Sequence, residues 1–393
     1  MSDQTTAPRK SLSAVLHASP ADRPFAKTRP LKLETLVLDP PGQGEVLVKI
    51  AAASLCHSDL SVINGDRPRP TPMALGHEAA GIVEACGPGV TSVAPGDHVI
   101  MVFVPSCGHC APCAEGRAAL CQPGAAANAE GTLLGGGMRL HLDGQDVYHH
   151  VGVSAFSEYA VLSERSLVKI DNELPLEIAA LFGCAVLTGV GAVVNTAGVR
   201  AGETVAVVGL GGVGLSAVLG AAAAGAARVI AVDIDPEKLA FAKDLGATDV
   251  FNSRDPDAIQ NIRDLTNGGV HTAVETAGVA PAFEFAYEVT RRGGQTVTAS
   301  LANPAVKLQI QQVRIVGEER SIRGSYLGGG VPSRDIPRYI ELYKRGKLPV
   351  DRLKTSSGPL EDINAAFDLL AEGKTIRHVI NMMPPETPAA KAE

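Results

Sequence analysis

Residues 204–233 read TVAVVGLGGVGLSAVLGAAAAGAARVIAVD. Thr204 to Val208 is an uninterrupted, largely β-branched run, the pattern of a strand buried on both faces. Gly209-Leu210-Gly211-Gly212-Val213-Gly214 follows, then an Ala-rich helix to about Ala224. Arg228 to Val232 is a second strand, closed by Asp233 19 positions after Gly214. A glycine fingerprint set between a strand and a helix, with an acidic residue ending the next strand, marks a dinucleotide site. The glycines let the backbone approach a pyrophosphate, which the helix N-terminus and its N–H groups stabilise. Asp233 can accept bonds from both ribose hydroxyls and would repel a 2′-phosphate, so NAD is favoured over NADP. The plainer reading of Asp233 is a cap for the helix that starts at Pro236.

Outward from this stretch the alternation continues. The pattern predicts helices at Pro236 to Leu245, Asp257 to Leu265 and Pro281 to Thr290. Strands are expected at Thr248 to Phe251, His271 to Glu275 and Gln295 to Ala299. Strand–helix alternation at this spacing means an α/β, doubly wound parallel sheet. The first part of the chain has a different texture. Short β-type runs at Leu12 to Leu16, Leu31 to Val37, Glu45 to Ile50, Ala80 to Ala85 and His98 to Val104 are punctuated by Pro/Gly turns, predicting a β-rich, partly barrel-like domain. Further β character is expected at Ala155 to Val161 and Leu167 to Ile170. Residues 122–147 read as a Gly/Ala-rich loop. Near the end, helices at Ile336 to Arg345 and Leu360 to Glu372 and a strand at Arg377 to Met382 are expected to return to the first domain. Residues 1–10 and the last Pro/Ala-rich residues read as tails.

Two groups of metal-ligating residues stand out. Cys107, Cys110, Cys113 and Cys121 are close enough to close around one tetrahedral zinc with no open position, a structural pattern. Two disulfides are the competing reading. Cys56-His57-Ser58-Asp59, Gly76-His77-Glu78 and a lone Cys184 offer two sulfurs and one imidazole. That set suits zinc and leaves a fourth position for water or substrate, as in a catalytic site. Cys184 alone would be an ordinary small buried residue.

The bulk numbers bound the function. The 393 residues suffice for two domains with full cores, and 45% apolar against 20% charged residues is a globular composition. A net charge of −7 with interspersed signs argues against nucleic-acid or anionic-membrane partners. Val213 to Val232, the longest apolar candidate, carries Gly220, Gly225 and Arg228, and the polar N-terminus lacks a signal-peptide core. The seven cysteines are thus expected as thiols or thiolates in the cytoplasm.

Taken in order, these motifs resemble the zinc-dependent medium-chain alcohol dehydrogenases, from about Ala14 to Met382. The resemblance implies a GroES-like catalytic domain from residues 1–185 and 327–393, carrying the zinc lobe at 107–121, and a Rossmann NAD-binding domain at 186–326. It implies two zinc ions: a catalytic one on Cys56, His77 and Cys184, and a structural one on the lobe cysteines. Asp59 would orient His77, Glu78 would lie behind the metal, and Ser58 would take the alcohol proton. His57 and Arg377 would face the coenzyme pyrophosphate. Lys238 would stand beside Asp233 at the adenosine ribose, and Thr188 and Val213 would flank the nicotinamide. Hydride would then pass between a primary alcohol, aromatic ones included, and NAD. A homodimer or homotetramer is implied.

Three departures qualify the resemblance. Ser61 stands where some members carry a second relay histidine. Ala125 stands where glutathione-dependent formaldehyde dehydrogenases carry an arginine, although Ser154 to Tyr159 resembles that branch. His150 takes a position often given to an aromatic pocket residue, with Phe103 and Val151 as neighbours, and is expected to line the substrate channel. S-(hydroxymethyl)glutathione dehydrogenase is therefore the near alternative. A catalytically idle NAD- and zinc-binding protein is the alternative of a different class.

Overall fold

The computed structural model describes residues 7–383. Met1 to Thr6 and the Pro/Ala-rich end, both expected as tails, lie outside the described residues. Lys10, expected in the first tail, belongs instead to the Arg9–Leu16 strand.

The described residues form two compact units. One takes the residues up to Cys107, Pro123–Gly183 and those from Lys354 on; the other takes Gly108–Gln122 and Cys184–Leu353. This division differs from the expected one at three places. The 108–122 segment, residues 184–185 and residues 327–353 cluster with the second unit. For the last a physical reason is visible: Asn195 donates to Asp335 Oδ2 (3.2 Å) and to the Tyr339 hydroxyl (3.3 Å), tying the Pro332–Lys344 helix into that unit.

The first unit is β-rich, as expected. A closed barrel runs through Arg9–Leu16, Leu31–Leu38, Leu140–Leu142, Gln145–His149 and Met73–Ala74. Beside it a seven-stranded sheet has Glu45–Ser54 at its centre. Residues 122–147, expected as loop, hold the Gln122–Glu130 helix and two barrel strands. The signal for the hairpin is Asp143-Gly144, whose φ values of +50° and +78° suit the two-residue turn that Asp-Gly favours between antiparallel strands.

Both ends of the chain build this unit. Arg377–Asn381 pairs antiparallel with Glu45–Ser54, matching Val379 to Ser54. The Ile363–Ala371 helix then grips the N-terminal segment with two polar side chains. Asn364 both accepts from the Leu31 amide (3.1 Å) and donates to the Leu31 carbonyl (2.9 Å), acting as a strand partner. Asp368 accepts from the Phe25 and Ala26 amides (2.9 and 2.8 Å) and from Arg23. Phe25, Phe156 and Phe367 fill the core beneath, the last two edge to face at 6.0 Å.

The second unit contains a six-stranded, all-parallel sheet in the order Asp249–Asn252, Arg228–Asp233, Thr204–Val208, Val270–Glu275, Thr290–Thr298, Ser321–Gly324. In chain order this is 3-2-1-4-5-6, the doubly wound dinucleotide-binding arrangement. The final strand was not expected. All four of its residues are exposed, so neither alternation nor an apolar run announces it. Among the described residues no single helix is long and apolar enough to cross a membrane.

Burial alone would raise the Asp368 pKa, but the two amides and Arg23 outweigh it and hold it below the usual carboxylate range. Such a group stabilises the fold above its unfolded pKa, and the gain is lost as pH falls through the folded one. Asp368→Asn is expected to cost roughly 2 kcal/mol at neutral pH. Thermal melts across pH should show the deficit shrinking below about pH 4.

Candidate active site: two metal clusters and a dinucleotide cradle

The Glu45–Ser54 strand ends two residues before Cys56, which caps the His57–Ile63 helix. The Cys56 amide donates to Asp59 Oδ2 at 3.2 Å, so the first turn is closed by the carboxylate that also serves the site. Gly76 then turns the chain into His77. Its φ is +97°, and a Cβ there would stand 2.4 Å from the Phe156 amide nitrogen, so only glycine fits. His77 Nδ1 meets Asp59 Oδ1 at 2.9 Å, with both side chains at most 2% exposed. An N–H facing a carboxylate fixes the tautomer and turns Nε2 the other way.

That Nε2 is buried and has no hydrogen-bond partner. Cys56, His77, Glu78 and Cys184, the residue that follows Gly183, bring one donor atom each within 4.8 Å of one another. Glu78 pairs with Arg377 through one carboxylate oxygen, while its buried Oε1 has no partner. An orphaned imidazole nitrogen, two thiols and an orphaned carboxylate oxygen fit a soft divalent cation. The electrostatics agree. Burial alone would lower the His77 pKa, but the Asp59 charge and hydrogen bond, helped by Cys56, raise it to about 10. Asp59, which burial would raise, is held below its ordinary value by the His77 charge and hydrogen bond and by the His150 ring beside it. The cluster favours positive charge.

Cys107, Cys110, Cys113 and Cys121 likewise bring their sulfurs within 4.8 Å of one another. All seven cysteines are thiols, so the disulfide reading of this lobe fails. Burial first, and the Cys110 and Cys121 neighbours after it, push the Cys113 thiol up to about 12, as crowded sulfurs without a cation must be.

The dinucleotide cradle lies in the second unit. A Cβ on Gly214 would sit 1.8 Å from the Gly209 carbonyl oxygen, so that glycine serves strand–helix packing. Gly211 differs. It caps the Gly212–Ala223 helix in extended conformation, and a Cβ there would meet nothing within 4 Å. That open space over a helix N-terminus fits a pyrophosphate. Asp233 Oδ2 accepts from the Leu210 amide (2.6 Å) and Oδ1 from the Ile234 and Asp235 amides, so the acidic residue also holds the glycine loop in shape. Val213 and Lys238 are half-buried, and Thr188 is buried on the Ala185–Gly191 helix. His57 is exposed and Ser58 half-buried in the first helical turn after Cys56.

Two expected roles meet different surroundings. Arg377 is 2% exposed and spends its charge on Glu78, behind the metal cluster. His150, expected in a substrate channel, is buried beside Asp59, with Phe103 and Val151 half-buried. Phe103 is held through its carbonyl by Asn128 (2.7 Å), a residue of the unexpected helix. Sequence reasoning also missed Glu275. It is buried at the end of its strand and accepts from the Ala277 and Gly278 amides and from Thr298 and Ser300, all at 2.6–2.7 Å. Thr298 and Ser300 line a cavity of about 350 Å³ with Leu301, Tyr326, Arg117 and Leu120. It opens beyond the carboxyl ends of the last two strands, where doubly wound sheets bind ligands.

Comparison with known proteins settles the family. Residues 42–172 match the alcohol dehydrogenase GroES-like domain and residues 212–345 the zinc-binding dehydrogenase domain. The chain belongs to the zinc-dependent medium-chain alcohol dehydrogenases. It is 43% identical to an NDMA-dependent alcohol dehydrogenase of Amycolatopsis methanolica over 94% of this chain and 98% of that one. It is 42% identical to an S-(hydroxymethyl)glutathione dehydrogenase of Synechocystis over 91% of this chain and 98% of that one. Among solved structures, benzyl alcohol dehydrogenase of Acinetobacter calcoaceticus superposes with a TM-score of 0.89 at 33% identity, covering 95% of this chain and 100% of that one. The protein is thus an NAD-dependent zinc alcohol dehydrogenase, with one four-cysteine zinc site and one catalytic zinc site.

In this dehydrogenase Gly211→Ala should leave the fold intact, since the added methyl meets open space. It should crowd the pyrophosphate and weaken NAD binding roughly tenfold. Fluorescence titration with NADH, beside a thermal melt, checks both halves.

Proposed function

We propose that the enzyme oxidises primary alcohols, aromatic ones included, to aldehydes with NAD and without glutathione. The observation that carries this is the donor set around the orphaned His77 Nε2, with Cys56 and Cys184 as the other zinc ligands. When bound, zinc supplies Lewis-acid polarisation of the substrate oxygen and NAD the hydride acceptor. Asp59 holds the His77 ring in its ligating tautomer. Glu78, neutralised by Arg377, stands behind the cluster. Ser58 takes the alcohol proton from the turn beside Cys56. Ser61 cannot pass it on as an imidazole would, and its hydroxyl is bonded to the His57 carbonyl at 2.8 Å. The proton therefore leaves through ribose hydroxyls or water.

Similarity to a benzyl alcohol dehydrogenase supports aromatic substrates. The second reading, S-(hydroxymethyl)glutathione oxidation, is favoured by the 42% identical Synechocystis relative. Against it stands Ala125, an exposed residue of the Gln122–Glu130 helix that offers no charge to a glutathione carboxylate. We also propose a homo-oligomer. The sheet ends at the exposed Ser321–Gly324 strand, and Val313 and Val316 of the preceding helix are 75% and 76% exposed, a face that a second copy related by a two-fold axis would cover. Seven cysteines, none of them in a disulfide, fit the reducing cytoplasm.

NADH formation with ethanol, hexanol and benzyl alcohol, and with formaldehyde plus glutathione, decides between the two substrates. Turnover of benzyl alcohol without glutathione is expected; turnover of the glutathione mixture alone would reverse the assignment. Cys56→Ala should reduce turnover by more than the roughly 100-fold that losing an outer partner of the metal costs. An unchanged rate would support a protein whose zinc is not catalytic. Light scattering should show Val316→Lys shifting the assembly toward smaller species.

A further inference from the structure

We infer that His150 is a positioning residue for the zinc ligand His77, acting through Asp59 and slowing loss of the catalytic metal. The inference rests on the assignment of the Cys56–His77–Cys184 cluster to zinc.

Side-chain geometry comes first. His150 Nδ1 lies 3.2 Å from Asp59 Oδ1, the same oxygen that meets His77 Nδ1 at 2.9 Å. His150 is 3% exposed, and its Nδ1 makes no well-aligned hydrogen bond, so its contact with Asp59 is an electrostatic one at 3.2 Å. An imidazole nitrogen cannot rest against a buried carboxylate with its lone pair, because two lone pairs repel in a dry site. The proton therefore stands on Nδ1, on the side that faces Asp59. Asp59 then has His77 and His150 at one oxygen and the Cys56 amide at the other. A carboxylate held by two hydrogen bonds and by the polar N–H of His150 beside it is restrained from swinging away from His77 when the metal exchanges.

Ring packing points the same way. The His150 ring meets the His77 ring edge to face, with centroids 5.5 Å apart and planes at 88°. Phe103 meets it in the same manner at 5.4 Å and 89°. The ligand ring is thus restrained by packing as well as by its hydrogen bond.

The backbone is strained to put His150 there. Val151 has φ +45° and Ser154 φ +54°, in the left-handed region that a β-branched residue avoids. Strain of this kind persists only where its surroundings enforce it. The turn is fastened by the His150 amide to Ser154 Oγ at 2.9 Å and by the Val153 and Ser154 amides to the His150 carbonyl. A residue that only lined a channel would need neither the strained turn nor burial against Asp59.

The test uses the zinc-loaded enzyme and three variants. His150→Asn places an amide N–H near the Nδ1 position, His150→Gln places it near Nε2, and His150→Phe keeps a ring without a donor. Zinc per chain is counted by elemental analysis, and its release to a chromogenic chelator is followed in time. Wild-type enzyme should hold two ions. The Gln and Phe variants should release one of them roughly 10–100-fold faster, with the four-cysteine ion unaffected as internal control. The Asn variant should stay within about threefold of wild type. Equal release from all four proteins, or equal acceleration in Asn and Gln, would overturn the role of His150. So would a third zinc ion lost in the Asn variant, which would put a metal between Asp59, His77 and His150. If the Phe variant does not fold, the Asn and Gln pair decides. A wild-type enzyme holding only the four-cysteine zinc would instead remove the catalytic-site assignment itself, and the His150 role with it.

Discussion

A fully buried carboxylate must be satisfied by its surroundings, and around Asp59 that requirement organises the catalytic cluster. The cost of burying the charge is offset by the His77 ring, the Cys56 amide and His150. Each partner has a second consequence. The Cys56 amide fixes the start of the His57–Ile63 helix and so the position of the first thiol. The His77 bond occupies Nδ1 and leaves Nε2 unpartnered in a cluster whose donor atoms lie within 4.8 Å of one another. Glu78, next in sequence, is neutralised by Arg377, which lies 299 residues further on. The result is a set of donors fixed before any metal arrives, which is the condition for a cation to bind with little reorganisation.

The second unit uses the same economy. Asp233 is committed to three backbone amides, so the residue that would read the coenzyme ribose is also what holds the glycine loop open. Glu275 does the equivalent work at the far strands, gathering two amides and two hydroxyls where the cavity wall begins. In both places a single carboxylate turns flexible loop backbone into a rigid edge, and the apolar sheet beneath needs no polar group of its own.

What could be read in advance follows how local each signal is. The four-cysteine lobe was legible because its ligands lie within 15 residues and their spacing is itself the geometry. The glycine fingerprint was legible because strand, loop and helix are contiguous. The Gln122–Glu130 helix was not: its Ala- and Gly-containing sequence carries no amphipathic period. The Ser321–Gly324 strand was hidden for the opposite reason, being exposed throughout. Arg377 and His150 had no local signal for where they stand, since their partners are Glu78 and Asp59, far away in the chain.

The sequence by itself determined the fold class, the family, the presence of two zinc sites and the coenzyme, because each is written in residue types at characteristic spacing. Only the tertiary structure decided where the two compact units divide, that Arg377 neutralises Glu78, that Glu275 braces the cavity wall, and that His150 turns toward Asp59. Those outcomes depend on which buried charges meet which donors. Burial and partner choice are properties of the packed chain, set by the cost of leaving a polar group unsatisfied and not by any stretch of sequence alone.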